Sequence, residues 1–266
     1  MDNADNSDFI AAFESALKWW DSVGVDVPKT APAKRKRPAA RTAQPKPSPV
    51  ATARSKPVSA APDPTHESRM QQAKQFASAA KDLAALKTAM SGFDAGTLSD
   101  SATQCVFSRG NPEARLMVIG EAPNRDEDIA GQPFIGRSGQ LLDRMLAAIG
   151  LTADEFYAAN VINWRPPGNR PPTPEEIELC RPFLHRHIEL AAPDIVLIAG
   201  GVPLSAMTEL TGIMKNRGTW QSLKIAGREI PALPIYHPAF LLRRPELKKE
   251  AWRDLLSLHE KLSELG

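Results

Sequence analysis

The sequence predicts an α/β protein with a mostly parallel sheet covered by helices on both faces. Short apolar runs at 115–119, 157–162, 194–199 and 231–236 read as buried strands, and helix-forming stretches separate them. Between the runs lie helix starts; Thr173-Pro174-Glu175-Glu176 is a capping box with proline at the first helical position. A third observation locates an edge. The run Leu116-Met117-Val118-Ile119 stops at Gly120-Glu121-Ala122-Pro123-Asn124, which puts a carboxylate at a strand's carboxyl end. Open α/β sheets hold their ligands there.

The elements follow in chain order. Residues 7–22 place Phe9, Phe13, Leu17 and Trp20 at helical spacing, so 1–27 is expected to hold a short amphipathic helix. A helix this short is marginal alone, so its stripe docks on the globular part or on a protein partner. Residues 28–67 form a basic, Pro/Ala-rich stretch; from Pro28 to Pro62 there are nine Lys or Arg and no acid. With almost no large apolar side chains it cannot offset the entropy of ordering, which predicts a disordered linker. Within it, Lys34-Arg35-Lys36-Arg37 fits a nuclear-localisation pattern, but general attraction to a polyanion is the simpler reading. The globular part is expected over 68–266. It opens with a helix at 68–91 ending near Gly92, and a second helix runs from Ser138 as N-cap to Ile149. Others are expected from Thr173 to about 191, near 202–211 and near 246–263. No internal repeat is present.

Bulk properties narrow the class. The 266 residues carry a net charge of +2, so the total charge points to no partner. Two cysteines, Cys105 and Cys180, suit a reduced cytoplasmic protein better than a disulfide scaffold. No run of some twenty apolar residues predicts a membrane span. The opening Asp2, Asp5 and Asp8 do not resemble a secretory signal.

Four segments combine a strand end with side chains that packing does not demand: the Glu121 loop, Pro133–Gln140, Asn160–Arg170 and Tyr236–Arg244. Each alone has an ordinary explanation, such as a turn histidine at His237 or a core ring at Phe134. In a parallel sheet all four can meet at one edge. Phe134 offers a π face to a planar ring, and Asn160 sets an acceptor beside a donor, as pairing with a base edge requires. Glu121 can orient a water, and His237 can donate to an oxygen gaining charge. Arginines 137, 165, 170, 217, 243 and 244 can grip phosphates. There is no zinc-deaminase signature.

Residues about 104–256 closely resemble the family-4 uracil-DNA glycosylases. The segments that carry the resemblance are GEAPNRDED with GQPFIGRSGQLLDRML, NVINWRPPGNRPPTPEEIELCRP, and HPAFLLRRPELKKEAW. The resemblance implies a three-layer α/β/α sandwich around a four-stranded parallel sheet. It implies a monofunctional glycosylase that hydrolyses the glycosidic bond of deoxyuridine flipped out of DNA, with uracil-containing DNA as partner and a monomer as the working form. By position, Glu121 matches the water-positioning carboxylate and His237 the histidine that steadies the departing uracil anion. Phe134 matches the stacking ring and Asn160 the reader of the uracil edge, with Gly120, Ala122 and Asn124 around the base. Leu241-Leu242-Arg243 matches the loop that props the duplex open, and Arg137, Ser138, Arg165, Arg170 and Arg244 join it as expected DNA contacts.

Two departures stand out. The family carries an iron–sulfur cluster on four cysteines, and three of those positions fall here on about Phe93, Gly96 and Trp164; only Cys180 remains. One thiolate cannot hold such a cluster, so no metal or cofactor is expected, with apolar contacts in its place. Asn124 stands where the family has glycine. Asparagine tolerates positive φ, so the turn is expected to survive, with Asn124 and Arg125 placed to alter base selectivity. Two alternatives remain: a glycosylase of the same fold for hypoxanthine or xanthine, and a non-catalytic sensor of deoxyuridine.

Overall fold

A computed structural model describes residues 64–265; the expected helix at 7–22 and most of the expected linker lie outside the described residues. Six strands form one sheet: β1 (Arg109–Gly110), β2 (Leu116–Gly120), β3 (Phe156–Asn160), β4 (Ile195–Ala199), β5 (Gln221–Ile225) and β6 (Arg228–Ile235). Their order is β1-β3-β2-β4-β6-β5, with the central four parallel and the two edges antiparallel. The four expected strands are thus the central four, and the four-stranded expectation is corrected to six. Both additions escape an apolar-run reading for physical reasons. β1 has two residues, and β5 is an exposed edge whose partner turn, Ala226-Gly227, is built on two positive φ angles.

Period-2 alternation divides each central strand between two cores. Met117 and Ile119 of β2 face one side with Tyr157, Val196 and Ile198. Leu116 and Val118 face the other with Phe156, Leu197 and Leu233. The first core is closed by α1 (Pro64–Ala79), α2 (Leu83–Ser91) and α6 (Pro174–Ala191), the second by α5 (Arg137–Ala147) and α10 (Lys248–Leu265). Short helices α3 (Thr97–Ser101), α4 (Arg125–Ala130), α7 (Gly201–Met207), α8 (Ile213–Asn216) and α9 (Pro238–Arg243) fill the loops. Among the described residues no helix is long and apolar enough to cross a membrane.

Several helix boundaries differ from expectation. The single helix at 68–91 is two helices, because Asp82 accepts a hydrogen bond from the Ala85 N–H at 2.7 Å and starts a new one. Helix α5 begins at Arg137 with Gly136 as N-cap, so Ser138 lies inside its first turn. The 202–211 helix ends at Met207, and the last helix follows a 3-10 turn at Pro245–Leu247. At Thr173 the expected capping box is present.

Candidate active site

Because β2, β3 and β6 run parallel, their carboxyl ends deliver Glu121, Asn160 and His237 to one edge. Gly120 lies directly beside Asn160 in the β2–β3 register. A Cβ on Gly120 would come within 2.4 Å of Asn160 Oδ1 and 2.5 Å of Phe134 Cζ, so only glycine lets ring and amide close over the strand end. Together with Ala122, Asn124 and Ser138 these groups line a cavity of about 270 Å³, which Glu127, Ala239, Phe240 and Arg243 complete. Phe134 and His237 stack at 5.9 Å between ring centroids and 23° between planes.

His237 caps α9 through its side chain: Nδ1 accepts the Ala239 N–H at 3.1 Å. In the neutral ring the proton must therefore sit on Nε2. Burial, then the charge of Arg243, lowers its pKa to about 4, so the ring is neutral at ordinary pH. Gly200 lies beneath it with φ +111, and a Cβ there would stand 3.2 Å from His237 Cβ. Burial raises the pKa of Glu121.

Asn124 is not in a positive-φ turn. Its φ is −88, and it is the N-cap of α4, with Oδ1 accepting the N–H groups of Asp126 and Glu127 at 2.8 and 3.1 Å. Asparagine is at home here as a helix cap rather than as a tolerated substitute for glycine. The strained backbone lies at Phe134, with φ +55. Glu127 was not singled out in the sequence, although Asn124-x-x-Glu127 has capping-box spacing and both halves of the box are formed.

The expected DNA contacts divide. Arg137 and Arg243 are exposed, and among the described residues neither makes an ion pair. Arg170 binds both oxygens of Glu176 at 2.6 and 2.8 Å, Arg165 stands 3.2 Å from the buried Asp128, and Arg244 pairs with Glu246. Arg217, another sequence candidate, pairs with buried Asp254. Leu241 is fully buried in the second core, so it cannot enter a duplex as expected, whereas Leu242 beside it is only partly buried.

The implied iron–sulfur site can be tested against the residues present. Phe93 and Trp164 are each 3% exposed. The Phe93 ring centroid lies 6.1 Å from Trp164, 5.0 Å from Phe183 and 6.0 Å from Phe76. Gly96 has φ +64 and brings no donor, and Cys180 is a buried thiol whose pKa desolvation raises. Cys105, partly buried, is likewise pushed up to about 12. Hydrocarbon with two neighbouring thiols, only Cys180 at an expected ligand position, does not fit a cluster that needs four.

Comparison with known proteins identifies the family. Residues 107–256 match the uracil-DNA glycosylase superfamily. The chain is 38% identical to a type-4 uracil-DNA glycosylase of Archaeoglobus fulgidus, covering 61% of this chain and 84% of that protein. It is 38% identical to the protein of that name from Saccharolobus solfataricus, over 59% and 76% of the two chains. For the Thermotoga maritima protein of the same name the identity is 35%, over 58% and 80%. The matched span holds the whole cavity, from Glu121 to Arg243, and on that ground the chain belongs to the uracil-DNA glycosylase superfamily.

Proposed function

We propose that this protein is a monofunctional glycosylase that releases uracil from DNA by hydrolysis, and that it does so without an iron–sulfur cluster. The observation that carries the reading is the neutral His237, its proton fixed on Nε2, beside a cavity walled by the Phe134 ring and the Asn160 amide. A flipped uracil stacks on Phe134. Asn160 Oδ1 accepts its N3–H while Nδ2 donates to O4; cytosine presents the reverse pattern. As the glycosidic bond lengthens, charge grows on uracil O2 and the Nε2–H donates to it. Glu121 orients the water that meets the sugar cation, and its own charge stabilises that cation. Among the described residues no lysine lines the cavity, which supports hydrolysis without strand cleavage through an amine nucleophile. Arg137 and Arg243 grip phosphates, Leu242 props the duplex, and the basic stretch before residue 64 adds salt-sensitive affinity.

Release of free base from oligonucleotides containing uracil, hypoxanthine or xanthine tests this reading. Uracil release alone is expected. Purine release would favour the deaminated-purine enzyme, and binding without release would favour a sensor. In the same assay Asn160→Asp is expected to admit cytosine, because the carboxyl, when protonated, offers a donor and an acceptor in either order. Full retention of uracil selectivity would show the reader to be misassigned.

Gly120→Ala displaces ring and amide together and is expected to lower single-turnover uracil release by roughly a hundredfold. Unchanged turnover would mean that the close approach at Gly120 is not needed.

A further inference from the structure

We propose that Glu127 is a positioning residue for base stacking, its buried carboxylate tying the Asn124 turn to the loop that presents Phe134. The inference rests on the reading of Phe134 as the stacking ring. Two carboxylates, Glu121 and Glu127, line the same cavity, and their surroundings give them different tasks. Burial alone raises the pKa of Glu121, and among the described residues no donor is committed to its oxygens. Glu127 is 4% exposed, and its Oε2 accepts the Asn124 N–H at 3.0 Å. Burial raises its pKa, and against that the N–H groups of Asn124 and Phe134, the nearby Arg109 and the N–H of Ile135 favour the charged form. Backbone donors therefore hold and face the Glu127 carboxyl, whereas among the described residues none is committed to that of Glu121.

The Phe134 backbone shows why such an anchor is needed. A non-glycine residue at φ +55 is strained, and such residues persist only where their surroundings over-determine them. From one side Gly139 allows the approach: a Cβ there would fall 1.5 Å from Phe134 O. From the other, the Glu127 carboxyl, held by the Asn124 N–H, faces the Phe134 and Ile135 N–H groups across the same cavity. The N3 residue of a small helix thus fixes the plane on which the base stacks, in the same cavity as the group that handles water.

The test is a double-mutant cycle between Glu127→Ala and Phe134→Ala, read as single-turnover uracil release, inhibition by free uracil, and Tm. Glu127→Ala is expected to slow release by roughly tenfold to a hundredfold and to weaken inhibition by free uracil. In the Phe134→Ala background the same change should cost far less, because its effect passes through the ring. Glu127→Gln keeps an acceptor for the Asn124 N–H and is expected to recover part of the loss; should the alanine variant fail to fold, it carries the cycle. Equal losses in both backgrounds would overturn the proposal, as would a lowered Tm with release and uracil inhibition intact. Full activity of Phe134→Ala alone would instead sink the stacking reading, a separate and recognisable result.

Discussion

Replacing His237 with alanine is expected to lower kcat for uracil release by about a hundredfold to a thousandfold, the usual loss when one donor to a developing oxyanion is removed. The imidazole has a single proton to give. Nδ1 is held by the Ala239 N–H, so Nε2–H is the donor, and a pKa near 4 keeps the ring neutral where the enzyme works. A neutral donor has a further consequence for pH. With Glu121 as the proposed water-positioning group, the acid limb of the rate is expected to follow its carboxyl, whose pKa burial raises, rather than the histidine. His237→Ala should therefore be slow at every pH yet keep the wild-type acid limb, as a single-turnover pH profile would show. Disappearance of that limb in the variant would mean that His237 itself is the titrating group. Folding stability, by contrast, does follow the histidines, and it too falls with falling pH. Both His237 and the fully buried His187, lowered to about 3, bind protons more weakly folded than unfolded. Their contribution is intact above pH 6.5 and declines as pH falls toward 4 and 3.

What the sequence reveals depends on how each residue earns its place. The central strands are legible because burial on both faces demands continuous apolar runs, as in Ile195–Ala199. Their carboxyl ends follow from the parallel order, which is why Glu121, Asn160 and His237 can be grouped before any coordinates. Edge strands carry no such demand. The two-residue β1 has no period to read, and β5 mixes exposed with buried positions. Conformation is harder still. Nothing in Pro133-Phe134-Ile135 announces a positive φ at Phe134, and Asn124 admits two readings, strained turn or helix cap. The cap wins because Glu127, three residues on, returns a bond to its backbone. Leu241 and Leu242 are alike in sequence and differ only in which face of α9 meets the core.

Truncating Trp164 to alanine is expected to destabilise the fold by about 3–5 kcal/mol, the range for emptying a buried aromatic site. Domains of this kind are stable by about 5–15 kcal/mol, so the loss is a large fraction of the whole. The indole is 3% exposed and sits with Phe93 in the core that also holds Cys180 and Phe183. Its neighbour Asn163 stitches this segment to the loop before β1, with Nδ2 donating to Val106 O at 2.9 Å and its carbonyl accepting the Val106 N–H at 2.7 Å. Asn160 begins the same segment, so the aromatic packing holds the proposed base reader as well as the fold. If hydrocarbon packing does here what a cluster would do, Cys180→Ala should behave as a minor core truncation, far milder than Trp164→Ala in urea denaturation. Preparations should then contain no iron or sulfide. A Trp164→Ala protein within about 1 kcal/mol of wild type would refute the packing argument, since ordinary surface changes already reach half that. Iron, sulfide and a visible absorption band in the purified protein would refute it more directly, because the two thiols Cys105 and Cys180 among aromatic rings cannot supply the four ligands of a cluster.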